Sequence, residues 1–546
     1  MAGRSSWGPS LGSRSAAVLG FVAALSLPGG TIVGQAPPEP APPALVVLVA
    51  VDQMRADYLG RYGDQWVGGF RRFYGAGTLF EHGRQDHAST ETAPGHSTML
   101  SGREPARTGI PLNSRGVGDP SAPLLDVSGG PGASPRAFQG TTLFDWMLAQ
   151  DSATTALSVS RKDRGAILPI GRARGVVLWF AGGQFTTSRY YADSLPEWVR
   201  AFNARGGVAR LAGTTWSLLR PDSTYAEPDS MPFENGGRDF VFPHRLPTSP
   251  DSLARRITAY PWMDSLTLSL ALEGAVQLHL GRRARPDLLA ISLSTTDAVG
   301  HAFGSDSREI HDQLLRVDVW LGQFMDSLAR LVPGGRIVYV LTGDHGTSSL
   351  PEYEALVRHR PAGRISLAWL ATSLEAQLES RYRMDFGVTF DNGLVTGDVE
   401  ALRARGVDVD SLAAALAAET RGTPGVAAVF TPATLAAAPD SSGAGLWRRL
   451  LPRALGWLIC ISTKPGYIWS NGALGGEHGA ANPEDVEVPI AFLGPGIPAQ
   501  HVERSVRTVD IAPTLARLLM VRPTEPLDGV VLPEVTAPPI SDPPPS

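Results

Sequence analysis

Residues 44–52 read ALVVLVAVD, eight apolar residues rich in valine and then an acid. A run with no polar alternation is a strand covered on both faces, as in a parallel sheet with helices on either side. Three more stretches repeat the pattern. DLLAISLS (287–294) leads to Asp297, RIVYVLT (336–342) leads to Asp344, and VPIAFLG (488–494) lies near the C-terminus. Residues 154–160 and 176–180 are shorter strand candidates. Helical patterns fall at 68–76, 143–148, 267–280, 310–331 and 510–519. Strands alternating with helices predict an α/β fold with a mostly parallel central sheet flanked by helices. Two segments interrupt the alternation. Residues 185–260 are rich in Trp, Tyr, Pro and Asp with weak periodicity, and read as an irregular insertion at a substrate rim. Residues 351–470, with an Ala/Leu-rich helical run at Val409–Thr420, read as an inserted cap domain. The catalytic core is then residues 45–350 and 471–535.

The chain has 546 residues, 43% of them hydrophobic, which is enough for a sizeable core. A net charge of −5 gives no basic footprint for a nucleic acid duplex. Arg4 and Arg14 precede an apolar run from Ala16 to Leu27 and then small residues, the pattern of a secretory signal peptide over residues 1–35. The run is short for a membrane span, so a periplasmic or secreted protein with no stable span after cleavage is expected. Residues 36–44 form a Pro/Ala linker, and 536–546 a frayed, Pro-rich tail. Cys460 is the single cysteine, which excludes an intrachain disulfide. An exported chain without disulfides draws its stability from core burial, metals or both. Nothing in the sequence specifies an oligomeric state.

The chemistry gathers around TETAPGHST (90–98). Pro94 suits a first helical turn, and Thr92 stands at its mouth. Free N–H groups and the positive end of the helix dipole there favour an anion such as phosphate. Asp52, Asp297 and Asp344 each follow a buried strand, and in an open α/β sheet the ligand site lies beyond the carboxyl ends of the strands. Asp297 and His301 are four apart, which places both on one face of a helix. His345 adjoins Asp344, and His478 sits in the glycine-rich turn GGEHG. Mixed carboxylate and imidazole sets suit zinc and leave a coordination place for substrate. His82, His87, His244, His279, His311, His359 and His501 read as structural or surface residues.

At these residues the sequence resembles the alkaline phosphatase superfamily over residues 45–535. More narrowly it resembles the exported PafA-type monoesterases with a threonine nucleophile, which are related to the nucleotide pyrophosphatase/phosphodiesterases. The resemblance implies an alkaline-phosphatase-like fold with inserted cap segments and two Zn2+ ions. One ion would be held by Asp297, His301 and His478, the other by Asp52, Asp344, His345 and the Thr92 oxygen. It further implies a phospho-threonine intermediate, small-molecule phosphate esters as substrates, and Asn113, Lys162 and Arg164 as phosphate-binding catalytic residues. The Lys162/Arg164 pair favours a monoesterase over the alternative, a phosphodiesterase on the same scaffold. A sulfatase would need Cys or Ser in place of Thr92. A non-catalytic metal-binding protein is disfavoured because all the proposed ligands are present.

Overall fold

The computed structural model describes residues 42–382, 387–470, 472 and 474–536. The leader, most of the linker and most of the Pro-rich tail lie outside the described residues. Nine strands form the central sheet: β1 (Leu45–Val51), β2 (Thr78–Arg84), β3 (Ala156–Ser160), β4 (Val176–Ala181), β5 (Gln184–Thr186), β6 (Asp287–Leu293), β7 (Ile337–Thr342), β8 (Ile490–Leu493) and β9 (Gln500–Arg507). Their spatial order is β9-β2-β8-β7-β1-β6-β3-β4-β5. β7, β1, β6, β3 and β4 run parallel. β8 lies antiparallel between β7 and β2, and β5 turns back on β4 at the far edge.

β1 is buried along its whole length. Its side chains divide by the two-residue period of a strand. Leu45, Val47, Val49 and Val51 enter one apolar cluster, with residues of the helices Gly69–Ala76, Trp262–Gln277 and Arg308–Leu331. Val46, Leu48 and Ala50 enter the other, with residues of the helices Leu143–Gln150 and Ile511–Leu519. The uninterrupted apolar run therefore records two helical layers rather than one.

The registers bring the functional ends level. Val51 pairs with Leu293 and Ala50 with Thr342, so β1, β6 and β7 finish together at the centre of the sheet. The strands β2 and β9 have mixed sequences, TLFEHGR and QHVERSVR, and were not among the sequence candidates. β9 is an edge strand with a mostly exposed or half-buried surface, so it needs no apolar run.

The 185–260 segment is irregular but partly core. Trp216 and Tyr225 are buried, and both donate to Asp312 on the long helix, at 2.6 and 2.7 Å. Residues 351–470 carry a second sheet, in the order Thr389–Asp391, Leu394–Thr396, Trp457–Thr463, Val426–Phe430, all antiparallel. The helix Val409–Thr420 packs on it through Leu412, Ala413 and Leu416. Among the described residues no helix is long and apolar enough to cross a membrane.

One buried acid in the insertion gives a pH signature. Glu234 is 2% exposed, its Oε2 has no hydrogen-bond partner, and Glu309, itself paired with His244 at 2.8 Å, lies close enough to repel it. Burial first, and then the charge of Glu309, push the Glu234 carboxyl up to about 10 from an ordinary 4.5. The folded state thus holds a proton that the unfolded chain releases above about pH 4.5, so this residue costs stability progressively as pH rises from there. Glu234→Gln, which mimics the neutral acid, should raise Tm at pH 8 and leave it nearly unchanged at pH 4.5. Equal shifts at both values would contradict the assignment.

Candidate active site

Three adjacent parallel strands deliver three acids to one point. Asp52 follows β1 directly, Asp344 lies two residues after β7, and Asp297 lies in the first turn of the helix Thr295–Phe303 that follows β6. All three are buried. β3, next in the sheet, ends at Ser160 and puts Lys162 beside them. Lys162 Nζ is 2.6 Å from Asp52 Oδ2, 2.7 Å from Asp297 Oδ2 and 3.0 Å from Thr92 Oγ1. One ammonium therefore links two of the acids to the threonine hydroxyl.

Thr92 is the first residue of the buried helix Thr92–Met99. Gly95 explains how this helix sits so near the acids. A Cβ at that position would lie 2.0 Å from the Asp344 carbonyl oxygen, so only glycine allows the approach. His96 braces the same contact. Its Nδ1 lies 2.9 Å from the Thr92 carbonyl and 3.2 Å from Asp344 Oδ2, and its Nε2 lies 3.0 Å from Ser292 Oγ. Both of its ring nitrogens are engaged within the protein, so His96 is an internal brace.

The other three histidines share the Nδ1 arrangement and differ from His96 at Nε2. Each places Nδ1 on a backbone carbonyl: His301 on Gly476 at 2.8 Å, His345 on Gly346 at 2.9 Å and His478 on Thr90 at 2.7 Å. A carbonyl only accepts, so Nδ1 carries the hydrogen and Nε2 is the nitrogen left to bind something else. The Nε2 atoms face carboxylates: Asp297 Oδ1 lies 3.3 Å from His301 and 3.5 Å from His478, and Asp52 Oδ1 lies 3.5 Å from His345. The rings of His345 and His478 stack at 3.7 Å.

Ligand atoms of Asp297, His345 and His478 fall within 4.8 Å of one another, and so do those of Asp52, Asp344 and His345. His345 stands between the two sets, and His301 closes on Asp297 from the outside. Asp52 Oδ1 and His345 Nε2 are buried without a hydrogen-bond partner. A lone pair facing a carboxylate oxygen inside a protein is unfavourable unless a cation or a proton sits between them. The donor set, imidazole nitrogens and carboxylate oxygens, fits zinc.

Electrostatics follow the same logic. Burial, reinforced by the charges of Asp297 and Asp344, raises the Asp52 carboxyl. Burial works against Asp297 too, but Lys162 and His301 outweigh it and hold this carboxyl well below the usual range. Asp344 is lowered by His96 and Lys162 against its own burial. Burial and the neighbouring His478 push His345 well down. His478 moves the other way: despite burial, its hydrogen bond to Asp297 and the charge there raise it to about 9. Metal binding at His478 must displace that proton, so metal affinity should fall with acidity.

Asn113 opens a short 3-10 turn near the helix mouth. Its Oδ1 accepts the Ala93 N–H at 2.8 Å. That donor fixes the amide orientation, and the NH2 end is the one turned to other partners. Arg164 is placed differently from Lys162. Its charged contact among the described residues is the adjacent Asp163, at 3.5 Å, and it lines one cavity with Lys162, Arg161 and Trp179. Two residues beside the acids had no motif to mark them. Gln53 donates its N–H to Asp344 at 3.1 Å and its amide to Asp297 at 3.4 Å. Arg161 lies 3.7 Å from Asp297 and donates to the Ser294 carbonyl.

Residues 46–381 match the type I phosphodiesterase/nucleotide pyrophosphatase family. The alkaline phosphatase PhoV of Synechococcus elongatus is 31% identical over 511 residues, covering 89% of this chain and 92% of that protein. PhoK of a Sphingomonas species is 31% identical over 89% of this chain and 90% of its own length. The crystal structure of the alkaline phosphatase PafA superposes with a TM-score of 0.83 at 28% identity, over 92% of this chain and all of that one. The chain belongs to the type I phosphodiesterase/nucleotide pyrophosphatase family and, within it, to the PafA-type alkaline phosphatases.

Proposed function

We propose that this chain is an exported phosphate monoester hydrolase with two zinc ions, acting through a phosphorylated Thr92. The observation that carries the reading is the contact of Lys162 with the Thr92 hydroxyl and two buried acids at once. Asp297, His301 and His478 would hold one zinc; Asp52, Asp344, His345 and the Thr92 oxygen would hold the other. Bound there, the ions supply Lewis-acid stabilisation of the attacking and leaving oxygens.

The remaining steps belong to the side chains. Thr92 Oγ1 gives up its proton to solvent and attacks phosphorus, the bond to the leaving-group oxygen breaks, and that oxygen takes up a proton from solvent. Water then hydrolyses the Thr92 ester, releasing phosphate and restoring the hydroxyl. Lys162 offsets negative charge on the Thr92 oxygen during both steps. Asn113 and Arg164 donate to phosphoryl oxygens, Asn113 through the NH2 end that its bond to Ala93 leaves free. A monoester presents three non-bridging oxygens to these donors, and a diester has one of them esterified. Residues 351–470 act as the cap over this site, and residues 1–35 as the export signal.

The family match also covers diesterases, so the discriminating assay is the ratio of kcat/KM for p-nitrophenyl phosphate to that for bis-p-nitrophenyl phosphate. The monoester should be strongly preferred, and Thr92→Ala should abolish the activity. A diester preference would move the chain to the phosphodiesterase branch. Arg164→Ala should cost the monoester transition state about 2–4 kcal/mol and the diester less. Equal losses would contradict the role of Arg164.

A further inference from the structure

One hairpin of the proposed cap reaches the segment that carries Thr92. Strands Thr389–Asp391 and Leu394–Thr396 are joined by the two residues Asn392 and Gly393, both at positive φ, 41° and 84°. This is the asparagine–glycine hairpin turn favoured by the twist of paired strands. Gly393 is tightly enclosed, since a Cβ there would lie 2.5 Å from the Ile461 carbonyl and 2.8 Å from the Trp469 ring. The tip is therefore held by the cap's own sheet.

Three catalytic segments converge on this tip. The Asn392 side chain donates to Glu91 Oε1, one residue before Thr92, and the Asn392 backbone carbonyl accepts from Ser89 Oγ at 3.3 Å. Ser114, one residue after Asn113, donates to Asp391 Oδ2 at 2.8 Å. Gly479, one residue after His478, lies directly against the tip: a Cβ there would sit 2.8 Å from the Asn392 amide. Glu91 ties two of these segments together. It is buried, and its second oxygen accepts the Asn113 backbone N–H at 2.5 Å.

We infer that Asn392 is a positioning residue for phosphate binding, acting through Glu91 on Asn113. The inference rests on the proposed role of Asn113 as a phosphate donor. The chain of bonds has a definite direction. The Asn392 NH2 can only donate, so it fixes one Glu91 oxygen; this aims the other at the Asn113 N–H. Asn113 in turn has its own oxygen on Ala93, at the head of the nucleophile helix. Without Asn392, the carboxylate of Glu91 is free to rotate, and the backbone of the Asn113 turn loses its fixed acceptor. The amide that meets the phosphoryl oxygen then loses its alignment, while the acids that follow the central strands, and Lys162 held between Asp52 and Asp297, stay in place.

A double-mutant cycle tests this on the zinc-loaded full chain. Asn392→Ala should lower kcat/KM for p-nitrophenyl phosphate about tenfold and weaken inhibition by inorganic phosphate in parallel, with bound zinc unchanged. In an Asn113→Ala background the same substitution should change kcat/KM less than twofold, because the residue it acts through is gone. Should the left-handed turn not tolerate alanine, Asn392→Asp keeps the shape and the turn but replaces the donor with an acceptor facing Glu91. It should reproduce the loss and its disappearance. An equal loss in both backgrounds, or no loss in the otherwise native enzyme, would overturn the role of Asn392 alone. If Asn113→Ala by itself leaves monoester hydrolysis and phosphate inhibition intact, the proposed role of Asn113 fails, and this inference with it.

Discussion

Mutual repulsion among Asp52, Asp297 and Asp344 is the constraint on which the rest of the structure depends. Three buried carboxylates at the ends of three adjacent strands could not all stay ionised in a low-dielectric interior without compensating charge. The chain supplies part of it through Lys162, which touches two of the acids, while His96 lies against the third. The Nε2 atoms of His301, His345 and His478 supply donors instead. A central sheet covered by helices on both faces has the rigidity to hold such a cluster against its own repulsion, because β1, β6 and β7 end level and fully buried.

That arrangement also places Thr92, the proposed nucleophile. In the proposed role, Thr92 would need a cation within bonding distance of its oxygen and an anion site at its helix mouth. Gly95 lets the helix close onto the Asp344 backbone, and His96 locks it there. The side proposed to face phosphate is built from the turns and loops beyond the strands: the turn at Asn113, the segment after β3 with Lys162 and Arg164, and the hairpin at Asn392.

Much of the fold was legible in the sequence because β1, β6 and β7 are buried on both faces and carry unbroken apolar runs. The acids that follow them could be placed at one rim by that fact alone. β2 and β9 were not legible, since they lie toward and at the exposed edge, where alternation with charged residues imitates a loop. Within the site, the Asp297/His301 spacing gave a shared helix face. The position of His345 between two ligand sets, and the span of Lys162 across two acids, depend on strand order, which no local pattern encodes. Glu91 and Asn392 were invisible for the same reason: they are 301 residues apart and meet only through the cap.

The most direct measurement is anomalous diffraction at the zinc edge from crystals of the zinc-loaded protein. The account predicts two peaks about 4 Å apart, one among Asp297, His301 and His478 and the other among Asp52, Asp344, His345 and the Thr92 oxygen. No peak among these residues, or a single peak shared by all three acids, would contradict it.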